Sequence, residues 1–240
     1  MEKESEFGSL NKDYTGFCEF KKMSRRRIVW PGHQYRFEKD GKSYLCRPMS
    51  NDEIERACML YWIGMPECKG TNFDFLHYPR AMREAVGDGD TFMKKDWFIY
   101  VVEGTATGGL CAGSVLRVDR LNQTIWGEIS VVDPHYRRKG IFSNLMSFMN
   151  EVCSLTGAEY GLGMMPTWHV IQQKVMEEFG WNACGVLRGG YIMNHGGDDY
   201  YRHPVILIEK FFNDGERVTA REMEFTSRSR YIWKAIKSQE

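Results

Sequence analysis

The sequence has no apolar run long enough to span a bilayer, so no association with a membrane is expected. It also lacks an excess of either charge. Lys plus Arg and Asp plus Glu stand at 32 each, which leaves no global field to draw the chain onto nucleic acid. The first six residues carry both signs and lack the apolar core of a signal peptide, so the cytoplasm is the expected location. Seven scattered cysteines (Cys18, Cys46, Cys58, Cys68, Cys111, Cys153 and Cys184) include no pair at zinc-ligand spacing and read as free thiols. His195, Asp198, Asp199 and His203 surround a Gly-Gly turn without a recognised ligand pattern, and no metal is expected. Internal repeats and low-complexity tracts are absent.

What is present has the balance of an ordinary globular protein, with 42% hydrophobic and 27% charged residues over 240 positions. That length suits one domain with extensions. Polar residues dominate the start, so residues 1–43 read as an N-terminal extension, 44–212 as the domain and 213–240 as a C-terminal extension. The basic patches at 25–27 and from Arg217 onward read as solvated termini.

Residues 44–49 form a strand candidate. Ser50 and Glu53 then have capping-box spacing for a helix carrying Ile54, Ala57, Cys58 and Tyr61 inward, ended near Gly64 and Pro66. A weaker helix is expected over 79–86. Residues 97–103, 110–118 and 124–132 are β-branched, aromatic or alternating, and turn-forming residues separate them, so they predict an antiparallel meander. Beyond Pro134 the period changes: Leu145, Phe148, Met149 and Val152 share a helical face that Gly157 terminates. A strand over 158–165, a helix capped by Thr167 with Ile171, Val175 and Phe179 on one face, and strands over 184–192 and 201–212 complete the chain.

The chemistry concentrates where the third strand of the meander meets the next helix. There Val132, Asp133 and Pro134 lead into Arg137, Arg138, Lys139 and Gly140, followed at once by Ile141, Phe142 and Ser143. The first amides of a helix have no intrahelical partner and sit at the positive end of its dipole, and glycine lets an anion approach the backbone. A diphosphate suits that site, with three cations to steer it.

This stretch resembles the signature of the GNAT acyltransferase superfamily: Arg or Gln, two residues, Gly, one residue, then Gly or Ala, after a Val-x-Pro-like strand end. Arg137, Gly140 and the Val132-Asp133-Pro134 element match it, whereas Phe142 stands in the final small position. The order of elements over 44–212 also matches. The resemblance implies a mixed α/β (α+β) fold, with a mostly antiparallel central sheet of about six to seven strands and helices on both faces. It further implies acetyl-CoA or another acyl-CoA as co-substrate and a primary amine of a small molecule or peptide as acceptor. Val131 and Val132 take the positions whose backbone pairs with the pantetheine arm, beside a splayed neighbouring strand.

In the family the following helix often carries Asn, Ala and Tyr and closes on Gly-Phe; here those places hold His169, Gln172, Met176 and Gly180-Trp181. The tyrosine that commonly protonates the departing thiolate is missing. A bacterial subset resembles this chain in Thr167, His169 and Gln173, which puts Gln173 among the cofactor-contacting candidates. For the base, Glu128 comes first: strand alternation groups it with Trp126, Ser130 and Val132, although the family's usual glutamate position falls on Trp126. It reads equally as a paired carboxylate. His169 can relay a proton or make a structural bond at the helix start, and Tyr160 on the adjoining strand is a third choice, as acid. A CoA-binding sensor or scaffold without turnover is the rival reading, motivated by Met176 and Phe142. The aromatic group Tyr61, Trp62, Phe73, Phe75, Tyr78 and Trp97 reads as core and a homodimer contact.

Overall fold

The computed structural model describes residues 28–87, 95–218 and 225–238. Cys18, the basic run at 25–27 and most of the turn after Gly87 lie outside the described residues. The chain forms β1 (Tyr35–Lys39), β2 (Lys42–Pro48), α1 (Ile54–Gly64), α2 (Pro79–Ala85), β3 (Trp97–Gly104), β4 (Gly109–Asp119), β5 (Thr124–Val132) and α3 (Ile141–Leu155). It continues through β6 (Tyr160–Pro166), α4 (Val170–Glu178), β7 (Asn182–Asn194), β8 (Tyr200–Phe211), α5 (Gly215–Val218) and α6 (Ser227–Lys237).

Among the described residues one sheet holds eight strands in the order β1-β2-β3-β4-β5-β6-β8-β7, and of its neighbouring pairs only β5 and β6 run parallel. The count exceeds the expected six to seven because β1 lies within the segment read as an extension. Tyr35 and Phe37 alternate with Arg36 and Glu38, and Asp40 and Gly41 turn the chain at φ 52° and 70° into β2. Ile28 and Trp30 are also buried, so the folded unit begins ahead of position 44.

Helices cover both faces. Leu145, Phe148, Met149 and Val152 of α3 and Val175 of α4 pack with Tyr100, Ala112, Leu116 and Ile125. Ile54, Ala57, Leu60 and Tyr61 of α1 and Met82 of α2 pack with Ile99, Val101, Val115, Ile129 and Val131 on the opposite side. Burying such side chains contributes about 1.5–3 kcal/mol each, which holds the layers together. The six described cysteines are free. Among the described residues no helix is long and apolar enough to cross a membrane.

The predicted capping box forms ahead of α1: the Ser50 amide and hydroxyl donate to Glu53 Oε2 at 3.0 and 2.9 Å. Glu53 is fully buried and also takes two bonds from Arg47, with Nη2 to Oε1 at 2.7 Å. Burial would raise its carboxyl, but the Arg47 and Ser50 bonds outweigh that and hold it at about 2, against an ordinary 4.5. A lowered carboxylate contributes its stability in full above pH 4.5 and loses it as the pH falls toward 2. Glu53→Gln removes the fully buried carboxylate from Arg47, which keeps only Glu103 as an ionic partner among the described residues, and is expected to cost about 1–3 kcal/mol in urea unfolding at neutral pH. The same variant should show a flatter stability curve below pH 4.5; an unchanged midpoint at both pH values contradicts this role.

Candidate active site

The site begins as a fork in the sheet. β5 and β6 pair from Thr124↔Tyr160 to Gly127↔Gly163 and go no further. Beyond that point β5 runs on through Glu128 to Val132, while β6 stays with β8 to Pro166. A strand that loses its neighbour offers unpaired backbone donors and acceptors. Tyr191 closes the apex of the fork, its hydroxyl 3.3 Å from the Glu128 carbonyl and 3.1 Å from that of Met164.

The fork opens because β5 carries a bulge. Gly127 pairs with Leu116 and Ile129 with Val115, so Glu128 is an extra residue on β5. Alternation inverts there: Ile125 packs on the α3 side, Ile129 and Val131 on the α1 side. The expected single face for Trp126, Glu128, Ser130 and Val132 is therefore split. Ser130 meets Ser114 at 2.9 Å and Val132 packs toward α3, whereas Glu128 and Trp126 both meet Arg117.

A cleft of about 480 Å³ runs from the fork to the start of α3, a size that suits a cofactor-sized ligand. Val131, Val132, Arg137, Arg138, Gly140, Ile141, Phe142 and Ser143 line it, with Trp168, His169 and Gln172 across from them. Gly140 is the N-cap of α3 at φ 70°, and Arg138 precedes it at φ 61°. The turn exists because glycine accepts that conformation without penalty, and it aims the first amides of α3 into the cleft. Phe142 does not crowd the loop, since its ring packs against the core.

The three cations divide their tasks. Arg137 donates through Nε to Val132 O at 3.1 Å and through Nη2 to Gly64 O at 3.2 Å, clamping the loop to β5 and α1. Lys139 turns onto His135 O at 2.7 Å and over the Tyr136 ring at 5.4 Å, and it does not line the cleft. Arg138 is exposed at the cleft wall. The end of α1 presses so closely that a Cβ on Gly64 would stand 2.1 Å from Val131 Cγ2.

Glu128 is buried and accepts from Arg117 Nε at 2.7 Å. Burial raises its carboxyl above the usual range, more than the Arg117 hydrogen bond and charge lower it. Arg117 itself lies near the rings of Trp97 and Trp126, at 5.6 and 5.2 Å from their centroids. Phe75, Phe73 and Tyr191 extend this aromatic group around Trp97, while Tyr61 is wholly in the core.

The other candidates fare differently. Thr167 is not the cap of α4; His169 is, its Nδ1 accepting from the Gln172 amide at 3.3 Å. Gln173 donates to the carbonyls of Pro166 and Thr167, at 3.3 and 3.0 Å, and Gln172 takes the place at the cleft expected for it. Tyr160 sits at the closed end of the fork opposite Thr124, its hydroxyl bonds Glu209, and it does not line the cleft. Met176 lies beside Gln172 in the lining of a second, smaller cavity under the fork. His195 and His203 meet Nε2 to Nε2 at 2.7 Å, but no group of three metal-binding side chains gathers among the described residues.

No protein-family model and no curated protein matches the sequence. Solved structures do match. Ribosomal-protein-S5-alanine acetyltransferase from Vibrio fischeri superposes with a TM-score of 0.56 at 11% identity, covering 75% of this chain and 96% of that one. Mutant forms of the spermidine/spermine N-acetyltransferase SpeG from Vibrio cholerae give 0.57 at 12%, covering 73% and 95%. Ribosomal-protein-S18-alanine N-acetyltransferase from Escherichia coli gives 0.54 at 12%, covering 76% and 99%. The chain has the GNAT fold. Within it, the residues expected to hold the diphosphate and the pantetheine arm come together around one cleft, apart from Lys139 and Gln173. Arg117 and Tyr191 of this GNAT fold escaped sequence reasoning, and Gln172 was named on the helix without a place at the cleft. Gly127 in β5 and Gly161 and Gly163 in β6 were the available signal, since glycines inside adjacent strands mark a bulge or a close approach.

Proposed function

We propose that the protein is an acyl-CoA-dependent N-acyltransferase that moves an acyl group from acetyl-CoA or a related thioester directly onto a primary amine of a small molecule or peptide. The observation that carries this reading is the fork between β5 and β6, which leads into the left-handed Gly140 turn at the head of α3. The amides of Ile141, Phe142 and Ser143, with Arg138, would hold the diphosphate. The open edge of β5 at Val131 and Val132 would pair with the amides of pantetheine. The amine nitrogen bonds to the thioester carbonyl carbon, the carbon–sulfur bond breaks, and CoA leaves as its thiolate. Backbone donors on β5 would stabilise charge growing on the carbonyl oxygen. Glu128 would take the amine proton, directly or through water. The N-acetyltransferases that share the fold support this reading.

The test is a thiol-release screen with acyl-CoAs across an amine library. Turnover with at least one amine is expected; tight CoA binding with no release from any amine favours a CoA-binding sensor. One observation speaks for that second reading. Met176 occupies the α4 position at which the family resemblance implies a proton-donating tyrosine, and it lines the cavity under the fork.

A thiolate whose acid has a pKa of roughly 8.5 is already a tolerable leaving group, so loss of the donor slows an enzyme without stopping it. Met176→Tyr, assayed with acetyl-CoA, is expected to leave CoA affinity within about twofold and raise turnover by up to about tenfold, below the usual range of acid catalysis. A variant that binds CoA normally and turns over no faster shows that α4 does not present this position to the leaving sulfur.

A further inference from the structure

A cavity of about 60 Å³ lies under the fork, between the sheet and helices α3 and α4. Met146 and Met149 of α3, Met165 of β6 and Met176 of α4 contribute side chains to its wall. Several of its polar side chains are already bonded elsewhere: Ser114 and Ser130 bond each other, Lys210 donates to Asn150 at 2.9 Å, and Glu128 accepts from Arg117. The methionines, Leu116, Trp181 and Ile208 supply the apolar, larger part of its wall. Methionine is unbranched and polarizable, so such a wall adjusts to the shape of a small apolar guest.

The cavity adjoins the site described above. Ser130 and Gln172 border both the cavity and the larger cleft, so the two spaces adjoin. Gly127 and Gly163, the last paired residues before the fork opens, also line the cavity. A thioester seated at the apex of the fork thus has an apolar chamber directly beneath it.

We propose that this cavity is an acyl pocket and that the preferred donor is a short-chain acyl-CoA longer than acetyl-CoA, with two or three carbons beyond the carbonyl. The proposal rests on the acyl-CoA reading above. The size follows from proportion: a cavity of about 150 Å³ accepts the six carbons of benzene, so about 60 Å³ suits two or three. Propionyl and butyryl chains have that number, whereas an acetyl methyl group leaves most of the space empty. A hexanoyl chain overfills it, and forcing added methylenes into a packed core is costly.

The experiment is calorimetric titration of the full-length protein with CoA and with acetyl-, propionyl-, butyryl- and hexanoyl-CoA. Affinity is expected to rise from acetyl to butyryl by about fourfold per added methylene and to fall again at hexanoyl. Met176→Trp, which fills the cavity, should reverse the butyryl preference; Met176→Ala, which enlarges it, should move the optimum toward hexanoyl. Circular dichroism of both variants reports whether they fold, and either one alone supplies the comparison. Binding of CoA with no chain-length optimum, or an optimum that both folded variants leave in place, overturns the acyl pocket while sparing the acyl-CoA reading. Failure of CoA and every acyl-CoA to bind overturns both.

Discussion

Gly140→Asp is expected to bind CoA roughly 30-fold more weakly than the wild type while keeping its fold. Two like charges about 4 Å apart near a protein surface repel by about 4 kcal/mol, and salt screening leaves about half of that against a diphosphate at the head of α3. Folding should survive, because a Cβ on Gly140 meets nothing closer than Lys39 Cε at 3.5 Å. The left-handed conformation at φ 70° costs a non-glycine residue about 1–2 kcal/mol, a modest part of a domain's stability. Gly140→Ala is the control, since it has the same Cβ and the same backbone cost without the charge. Calorimetry should rank affinity as wild type, then alanine, then aspartate well below both. Equal affinity for all three folded proteins puts the nucleotide elsewhere.

Glu128→Gln carries the second large effect, a fall in turnover of roughly 10²–10⁴-fold with CoA affinity nearly unchanged. Glutamine keeps the size of the side chain and a carbonyl oxygen for Arg117 Nε but cannot accept a proton. The wild-type pH profile supplies the sign. A base works deprotonated, so the rate should fall as the pH drops through the Glu128 pKa, which burial raises above the ordinary 4.5 against the pull of Arg117. That acid limb should vanish in the variant. Equal rates across the profile reassign the base. His169 is then next, through Nε2, because its Nδ1 is occupied by the Gln172 amide.

Much of this fold was legible because local signals agreed with the global one. The strand over Thr124–Val132, the helical period of α3 and the glycine before it were readable from alternation, spacing and helix-end chemistry. β1 was readable too, since Asp40-Gly41 between alternating aromatics is a strong hairpin signal; the surrounding charge hid it. The bulge at Glu128 was hinted at by Gly127, but its position was not readable, because it depends on how β4 and β5 pair across the sheet. Everything downstream of that extra residue was therefore displaced in the sequence-level picture of the site: the face of Glu128, its bond to Arg117 and the hydroxyl of Tyr191 at the fork. Arg137 illustrates the same limit. Its charge pointed to the diphosphate, yet its guanidinium is tied to two backbone carbonyls and sets the loop instead.

The central claim is that the cleft between the β5–β6 fork and the head of α3 binds acyl-CoA, and titration of CoA into the wild-type protein tests it most directly. Saturable binding at one site per chain is expected, weakening as salt screens the diphosphate from Arg138 and the α3 amides and competing with acyl-CoA. No saturable binding, or binding indifferent to both salt and acyl-CoA, contradicts the account.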